Sequence, residues 1–188
     1  MPGTPHFGTD GWRGIIAEDF TFGAVRRVSQ ALALEVRERF QAGNGAQTPG
    51  LVIGFDTRYG SGRFAAAAAE VIAAHDIHVH LCRTPVPAQV VSHAVVELGA
   101  DGGMVITASH NPVQFNGIKL KARSGAPASF AFLRDLEARL AALEALGGDP
   151  PRRALDAAED DGNLDRINPV PGYLEALRGL RTWLPWPE

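Results

Sequence analysis

Six consecutive residues, Thr107-Ala108-Ser109-His110-Asn111-Pro112, place a hydroxyl, a titratable ring and a turn-forming Asn-Pro pair directly after the apolar run Met104-Val105-Ile106. The run predicts a buried strand, and a polar turn at the end of such a strand is where α/β proteins put their chemistry. Two ammonium groups follow in Gly117-Ile118-Lys119-Leu120-Lys121. A hydroxyl, an imidazole and fixed positive charge suit phosphoryl transfer, whose transition state needs a positioned acceptor oxygen and cations around its charged oxygens. The same residue types are common in turns, so an ordinary strand-to-loop turn stands as the alternative. A serine-hydrolase arrangement fits less well. No Gly-x-Ser-x-Gly elbow surrounds Ser109, and a histidine adjacent to the serine in sequence is poorly placed as an oriented base.

Three other stretches carry chemistry-bearing residues. Phe7-Gly8-Thr9-Asp10-Gly11-Trp12-Arg13-Gly14 is dense in glycine, which lets backbone approach a ligand, and Arg13 within it could fork onto a phosphate. The alternative is a turn with a solvated Arg13, leading into a short strand Ile15-Ile16-Ala17. Asp56-Thr57-Arg58 follows the apolar run Leu51-Val52-Ile53-Gly54-Phe55, and its charged pair is expected to close a turn and orient neighbouring loops. His78 and His80 alternate with Ile77, Val79 and Leu81, so both rings share one face of a strand. Such a pair can bind metal, but no third ligand is evident in sequence, and a polar outer face is the expected account. Asp160-Asp161-Gly162-Asn163-Leu164-Asp165 lacks the alternating carboxylates of a compact calcium or magnesium loop and is expected to be solvated.

The elements that must position these residues follow from periodicity. Thr21 is a candidate N-cap for a long amphipathic helix with Phe22, Val25, Val28, Leu32, Val36 and Phe40 on one stripe, ended by Gly43-Asn44-Gly45. Most of its charges, Glu35 and Arg39 included, fall off that stripe and are expected in solvent. Ser61 is a candidate cap for an Ala-rich helix from about Arg63 to Ala74, and a third helix runs from Ala88 to Leu98, where His93 is expected at the surface or in packing. Ile118 and Leu120 alternate with Lys119 and Lys121, which predicts a basic edge strand, antiparallel to its neighbours. A fourth helix carries Phe132, Leu133, Leu136, Leu140 and Leu143 and stops at Gly147-Gly148. Asp149 to Asp165 is rich in acids and proline and predicts a linker, before a last short helix from Tyr173 to Leu180. Trp183 and Trp186 near the end call for a covering surface. The alternation gives an α/β protein, a three-layer α/β/α sandwich with a mixed, mostly parallel sheet.

Composition bounds the rest. The chain has 188 residues, 45% of them hydrophobic, enough for a real core. A net charge of −3 argues against nucleic-acid binding. Cys82 is the single cysteine, so no internal disulfide can form and a reducing compartment is expected. The first residues lack the basic start and apolar stretch of a signal peptide, and no apolar run is long enough for a bilayer. A cytoplasmic protein without membrane contact is the expectation.

Phe7 to Gly14, Asp56-Thr57-Arg58, Thr107 to Pro112 and Asn116-Gly117-Ile118-Lys119 occur in the order in which phosphohexomutases carry them. From about Phe7 to Leu180 the chain resembles the first domain of the phosphoglucomutase/phosphomannomutase superfamily. The resemblance implies a catalytic-serine domain over 1–148, with 149–188 a linker and the start of a connection to a second domain. It implies that Ser109 is a phosphoserine that moves phosphate between C1 and C6 of a hexose phosphate through a bisphosphate intermediate. His110, Lys119 and Arg13 match positions that bind the phosphate and assist the transfer. Magnesium is an implied cofactor, with one ligand from phosphorylated Ser109, and a glucose 1,6-bisphosphate-type compound the activator. Family members have four domains. The second brings an Asp-Gly-Asp-Gly-Asp metal loop, the third a sugar-selecting loop and the fourth a phosphate-gripping loop, none of them present in this sequence. This chain alone is therefore expected to fold but to be close to inactive, with domains two to four as its partners. A phosphoglucosamine mutase first domain and a non-catalytic binding module are the alternatives.

Overall fold

The computed structural model describes residues 5–8, 11–44 and 48–181. Thr9, Asp10, Gly45 and the tryptophans at 183 and 186 lie outside them. Twelve elements follow in order: β1 (Trp12–Ile15), α1 (Phe22–Asn44), β2 (Gly50–Phe55), α2 (Ser61–Ala73), β3 (His78–Cys82), α3 (Ala88–Glu97), β4 (Gly102–Ile106), β5 (Phe115–Ala122), α4 (Phe130–Leu146), α5 (Leu155–Asp160), β6 (Leu164–Ile167) and α6 (Val170–Arg181). The strands form one sheet in the order β1-β5-β4-β2-β3-β6. Pairing is parallel from β4 through β2 and β3 to β6, and antiparallel on both sides of β5. The sheet is mixed and mostly parallel, as expected.

The central strands are apolar on both faces because helices cover both. Leu51, Ile53, Met104 and Ile106 point into a core shared with α1, α2, α4 and α5. Val52 and Val105 point the other way, against Val90, Val91, Ala94 and Val95 of α3, with α6 beside it. Helix α3 lies so close that a Cβ on Gly54 would stand 2.3 Å from Val91 Cγ2, which is why a glycine sits mid-strand. The ring of His93 meets Tyr173 of α6 edge-on at 5.8 Å, so this histidine does packing work between the two helices. Thr21 caps α1 as expected, its hydroxyl accepting from the Ala24 amide at 3.2 Å. Ser129 does the same for α4 through the Phe132 amide.

Several expectations are corrected. The first strand runs from Trp12 to Ile15, not Ile15 to Ala17, because Trp12 buries its ring and pairs with Ile118. Arg13 is therefore inside the strand rather than in a turn before it. The basic strand β5 is not an edge, since β1 covers its outer side. Helix α2 starts at Ser61, capped by the left-handed Gly60 with no side-chain cap. Glu35 is buried rather than solvated, because Arg39 at 2.7 Å and Arg139 of α4 at 3.0 Å neutralise it. Helix α6 begins at Val170 and takes Pro171 into its first turn, where a missing amide costs nothing.

The largest correction concerns Asp149 to Asp165. Instead of a solvated linker, the segment forms α5 and enters β6, which extends the sheet beyond β3. Ala158 and Leu164 are buried, and the Asn163 side chain donates to the Ala73 carbonyl at 3.0 Å. Two apolar anchors and a strand register hold the segment despite its charge. Leu164→Ala is accordingly expected to destabilise the chain by about 2–4 kcal/mol in urea denaturation, as for other buried leucines. A change within about 0.5 kcal/mol, as for an exposed position, would mean the segment carries no core.

Candidate functional site

In the order β5-β4-β2-β3, the chain leaves β2 toward β3 and returns to β4 on β2's other side. The loops after β2 and β4 therefore diverge, α2 going to one face and α3 to the other. The gap between them is the crevice where open α/β sheets take ligands. Asp56, Arg58, Tyr59, Thr107, Ser109, Asn111 and Lys119 line a cavity of about 600 Å³ there, together with the first turn of α3. The amide end of α3 favours negative charge. A second cavity of about 590 Å³, between α1 and the base of the β4–β5 pair, contains none of Arg13, Ser109, His110 or Lys119.

Ser109 is exposed at the tip of the loop, with φ +56°. That left-handed backbone is uncommon outside glycine and costs energy that the surroundings must supply. They do so through hydrogen bonds. The Ser109 amide donates to Thr107 Oγ1 at 2.9 Å, and the Asn111 amide to the Ala108 carbonyl at 3.1 Å. Arg58 reaches across from the β2 loop and donates to the carbonyls of Ser109 (2.7 Å), Asn111 (2.6 Å), Pro112 (2.9 Å) and Phe115 (3.0 Å). Its Nε lies 3.4 Å from Asp56 Oδ2, while Asp56 Oδ1 accepts from the Arg58 amide at 2.9 Å and the Ser61 hydroxyl at 2.7 Å. The Asp56–Arg58 pair thus orients loops, as its sequence position suggests.

The cations arrive on the sheet. Arg13 of β1 pairs opposite Gly117 of β5, and Lys119 lies two residues further along β5, opposite Val105. Directly opposed residues and alternate residues share a face, so Arg13, Lys119 and Lys121 form a basic strip on the α3 side. Arg13 Nη1 donates to Asn111 Oδ1 at 2.9 Å, tying that strip to the Ser109 loop. Close approach is possible because of Gly117, where a Cβ would fall 2.5 Å from the Trp12 carbonyl oxygen and 2.8 Å from that of Thr107. His110 is exposed, its Nδ1 3.5 Å from Ser109 Oγ, too long for a firm hydrogen bond.

The four residues singled out from sequence thus gather at one end of the sheet. Two supports escape sequence inspection. Ser61 looks like a helix cap but instead bridges Asp56 and the buried Asn116, whose Nδ2 donates to Ser61 Oγ at 2.9 Å. Asn111 looks like a turn former but also receives Arg13. Both are long-range contacts that only the assembled sheet creates. Cys82 plays no nucleophilic part here, because burial pushes its thiol up to about 12.

The described residues include one group of three His, Cys, Asp or Glu side chains with ligand atoms close together, and it lies elsewhere, on β3 and β6. Near Ser109, the Asp56 carboxylate is already engaged by Arg58 and Ser61. The described residues do not make a magnesium site at Ser109. No helix among them is long and apolar enough to cross a membrane.

A family model for phosphoglucomutase/phosphomannomutase, alpha/beta/alpha domain I, matches residues 4–146. A phosphoglucosamine mutase of Clostridium tetani is 33% identical over 185 residues, covering 95% of this chain and 39% of its own length. A phosphoglucomutase of Staphylococcus epidermidis is 47% identical over 81 residues, 43% of this chain and 15% of the relative. A crystal structure from Thermus thermophilus carrying the name phosphomannomutase superposes with a TM-score of 0.78 at 33% identity, over 95% of this chain and 36% of that one. The chain thus spans about two fifths of the length of phosphoglucosamine mutases such as that of Clostridium tetani. Fold, crevice and similarity agree: the chain belongs to the phosphoglucomutase/phosphomannomutase family and carries its α/β/α domain I.

Proposed function

We propose that this domain supplies the phosphoserine of a phosphohexomutase, with Ser109 as the group that gives and takes phosphate. In the first transfer the Oγ–P bond of phosphorylated Ser109 breaks as a P–O bond forms to a free hydroxyl of the hexose phosphate. The hydroxyl's proton leaves to a nearby base and Ser109 Oγ regains one, so the serine ends neutral and the sugar ends as a bisphosphate. The second transfer is the same reaction in reverse at the other phosphate, which moves phosphate between C1 and C6 with no net proton change. A glucose 1,6-bisphosphate-type compound charges a bare Ser109 by that same second step.

The observation that carries this reading is an exposed hydroxyl, fixed in a left-handed turn at the mouth of a cavity that Lys119 also lines. A seryl phosphate carries nearly two negative charges. Lys119, and Arg13 through the loop it grips, supply the opposing charge. His110 is the imidazole beside Ser109, the neighbouring side chain placed to assist the transfer. An amino-sugar phosphate is the second reading of the substrate, because the phosphoglucosamine mutase similarity covers nearly the whole chain and the phosphoglucomutase similarity less than half. The sugar-selecting groups would come from the remaining domains of the full protein, and the domain alone is expected to be close to inactive as a mutase.

Incubation with glucose 1,6-bisphosphate or glucosamine 1,6-bisphosphate should place one phosphoryl group on Ser109, read by peptide mass spectrometry. Ser109→Gly, which keeps the backbone free to hold its positive φ, should take none. No phosphate at Ser109 with either compound, even with the missing domains added in trans, would favour a non-catalytic binding module. The domain by itself should show almost no isomerisation of glucose 1-phosphate, and turnover near that of a full-length relative would refute the division of labour. Arg58→Lys leaves a point charge where a five-donor fork stood. It should lower stability by about 2–3 kcal/mol in denaturant melts and slow Ser109 phosphorylation by about a hundredfold through loop misplacement.

A further inference from the structure

Strands β3 and β6 meet at the edge of the sheet opposite β1, and Asp165 of β6 stands opposite His80 of β3 in the parallel register. His78 Nε2 lies 2.6 Å from Asp165 Oδ1, and His80 Nδ1 lies 2.8 Å from the same oxygen. The two imidazoles meet at 4.5 Å between ring centres. One potential ligand atom from each side chain lies within 4.8 Å of the others. The third ligand that the sequence does not reveal for the histidine pair is thus supplied by a residue 85 positions downstream of His80 (165 − 80). His80 Nδ1 is buried and makes no aligned hydrogen bond, although the Asp165 oxygen is near. One carboxylate oxygen is left serving two rings, only one of them in hydrogen-bond geometry.

We propose that His78, His80 and Asp165 form a binding site for a divalent transition metal, with zinc the fitting ion, which fastens β6 to β3. Two imidazoles and a carboxylate suit zinc, cobalt or nickel, whereas magnesium and calcium prefer all-oxygen shells. Tetrahedral bonds of about 2.0–2.1 Å put neighbouring ligand atoms about 3.3 Å apart. Asp165 Oδ1 must therefore draw back by roughly half an ångström from each ring, and its side chain, 47% exposed, has room to do so. The exposed side of Asp165 leaves an ion a way in from solvent, and both rings also line a cavity of about 250 Å³ with Gly50, Ala100 and Asp101. Burial lowers the pKa of His80, with Asp165 opposing and His78 adding to the shift. The site is remote from Ser109. His78 lies level with the first residue of β2, while the serine loop follows the last residue of β4. It owes nothing to the phosphoryl-transfer reading.

Calorimetric titration of the chelator-treated chain with zinc chloride should give one ion per chain. At about a hundredfold excess over Kd, Tm should rise by about 5 °C or more. Cobalt should bind with the intense visible absorption of a tetrahedral site, while magnesium or calcium should not shift Tm. The double variant His78→Gln, His80→Gln should retain its circular dichroism, lose the cobalt band and weaken zinc binding by about tenfold or more. If that variant does not fold, Asp165→Asn, an isosteric neutral change, should produce the same loss. No zinc binding by the parent chain, or binding unchanged in a folded variant, overturns the proposal and leaves a plain His–Asp strand clasp.

Discussion

One guanidinium holds the candidate site in shape. Four carbonyls point inward around Arg58 and accept from its two Nη groups, while the Asp56 carboxylate stands 3.4 Å from Nε. Carbonyls turned toward one another repel unless a cation sits among them. The planar fork satisfies them in two directions at once, which a lysine cannot. Asp56 in turn fixes the fork, and Ser61 and Asn116 fix Asp56, so the constraint runs from the β2 loop through α2 to β5. The positive φ of Ser109 is tolerable because this scaffold over-determines it.

The sheet order explains why the chemistry sits where it does. Parallel strands send their loops to one end, and the divergence between β2 and β4 leaves a gap that helices do not fill. The antiparallel β5 then runs back beside β4, on the side away from β2, and carries Lys119 to the cavity wall, while β1 beyond it adds Arg13. A purely parallel sheet would put such side chains under a helix. The mixed edge delivers charge without a covering layer.

Much of this was legible in the residues alone. Continuous apolar runs marked β2 and β4, helical stripes marked α1 and α4, and alternation marked β5 and the pair His78 and His80. The described residues of the four motifs come together at the candidate site because they sit at strand ends or on the strands beside them. What composition hid was the tail of the sheet. Acids and prolines around Ala158 and Leu164 outweigh the two apolar anchors in any local window, yet those anchors suffice once β3 offers a partner. The roles of Ser61, Asn111 and Asp165 were hidden for a different reason. Each is decided by a contact with a residue far away in sequence, and no spacing rule reaches across that distance.

The late arrival of β6 bears on how the chain can be cut. Residues 164–167 seal the flank of β3, so a version trimmed after α4 would leave an open row of main-chain donors and acceptors beside buried Val79 and Leu81. Raw edges of that kind recruit other strands and invite aggregation. A soluble minimal unit of this fold has to keep going past Gly148, through the acidic stretch, until the last strand is in place.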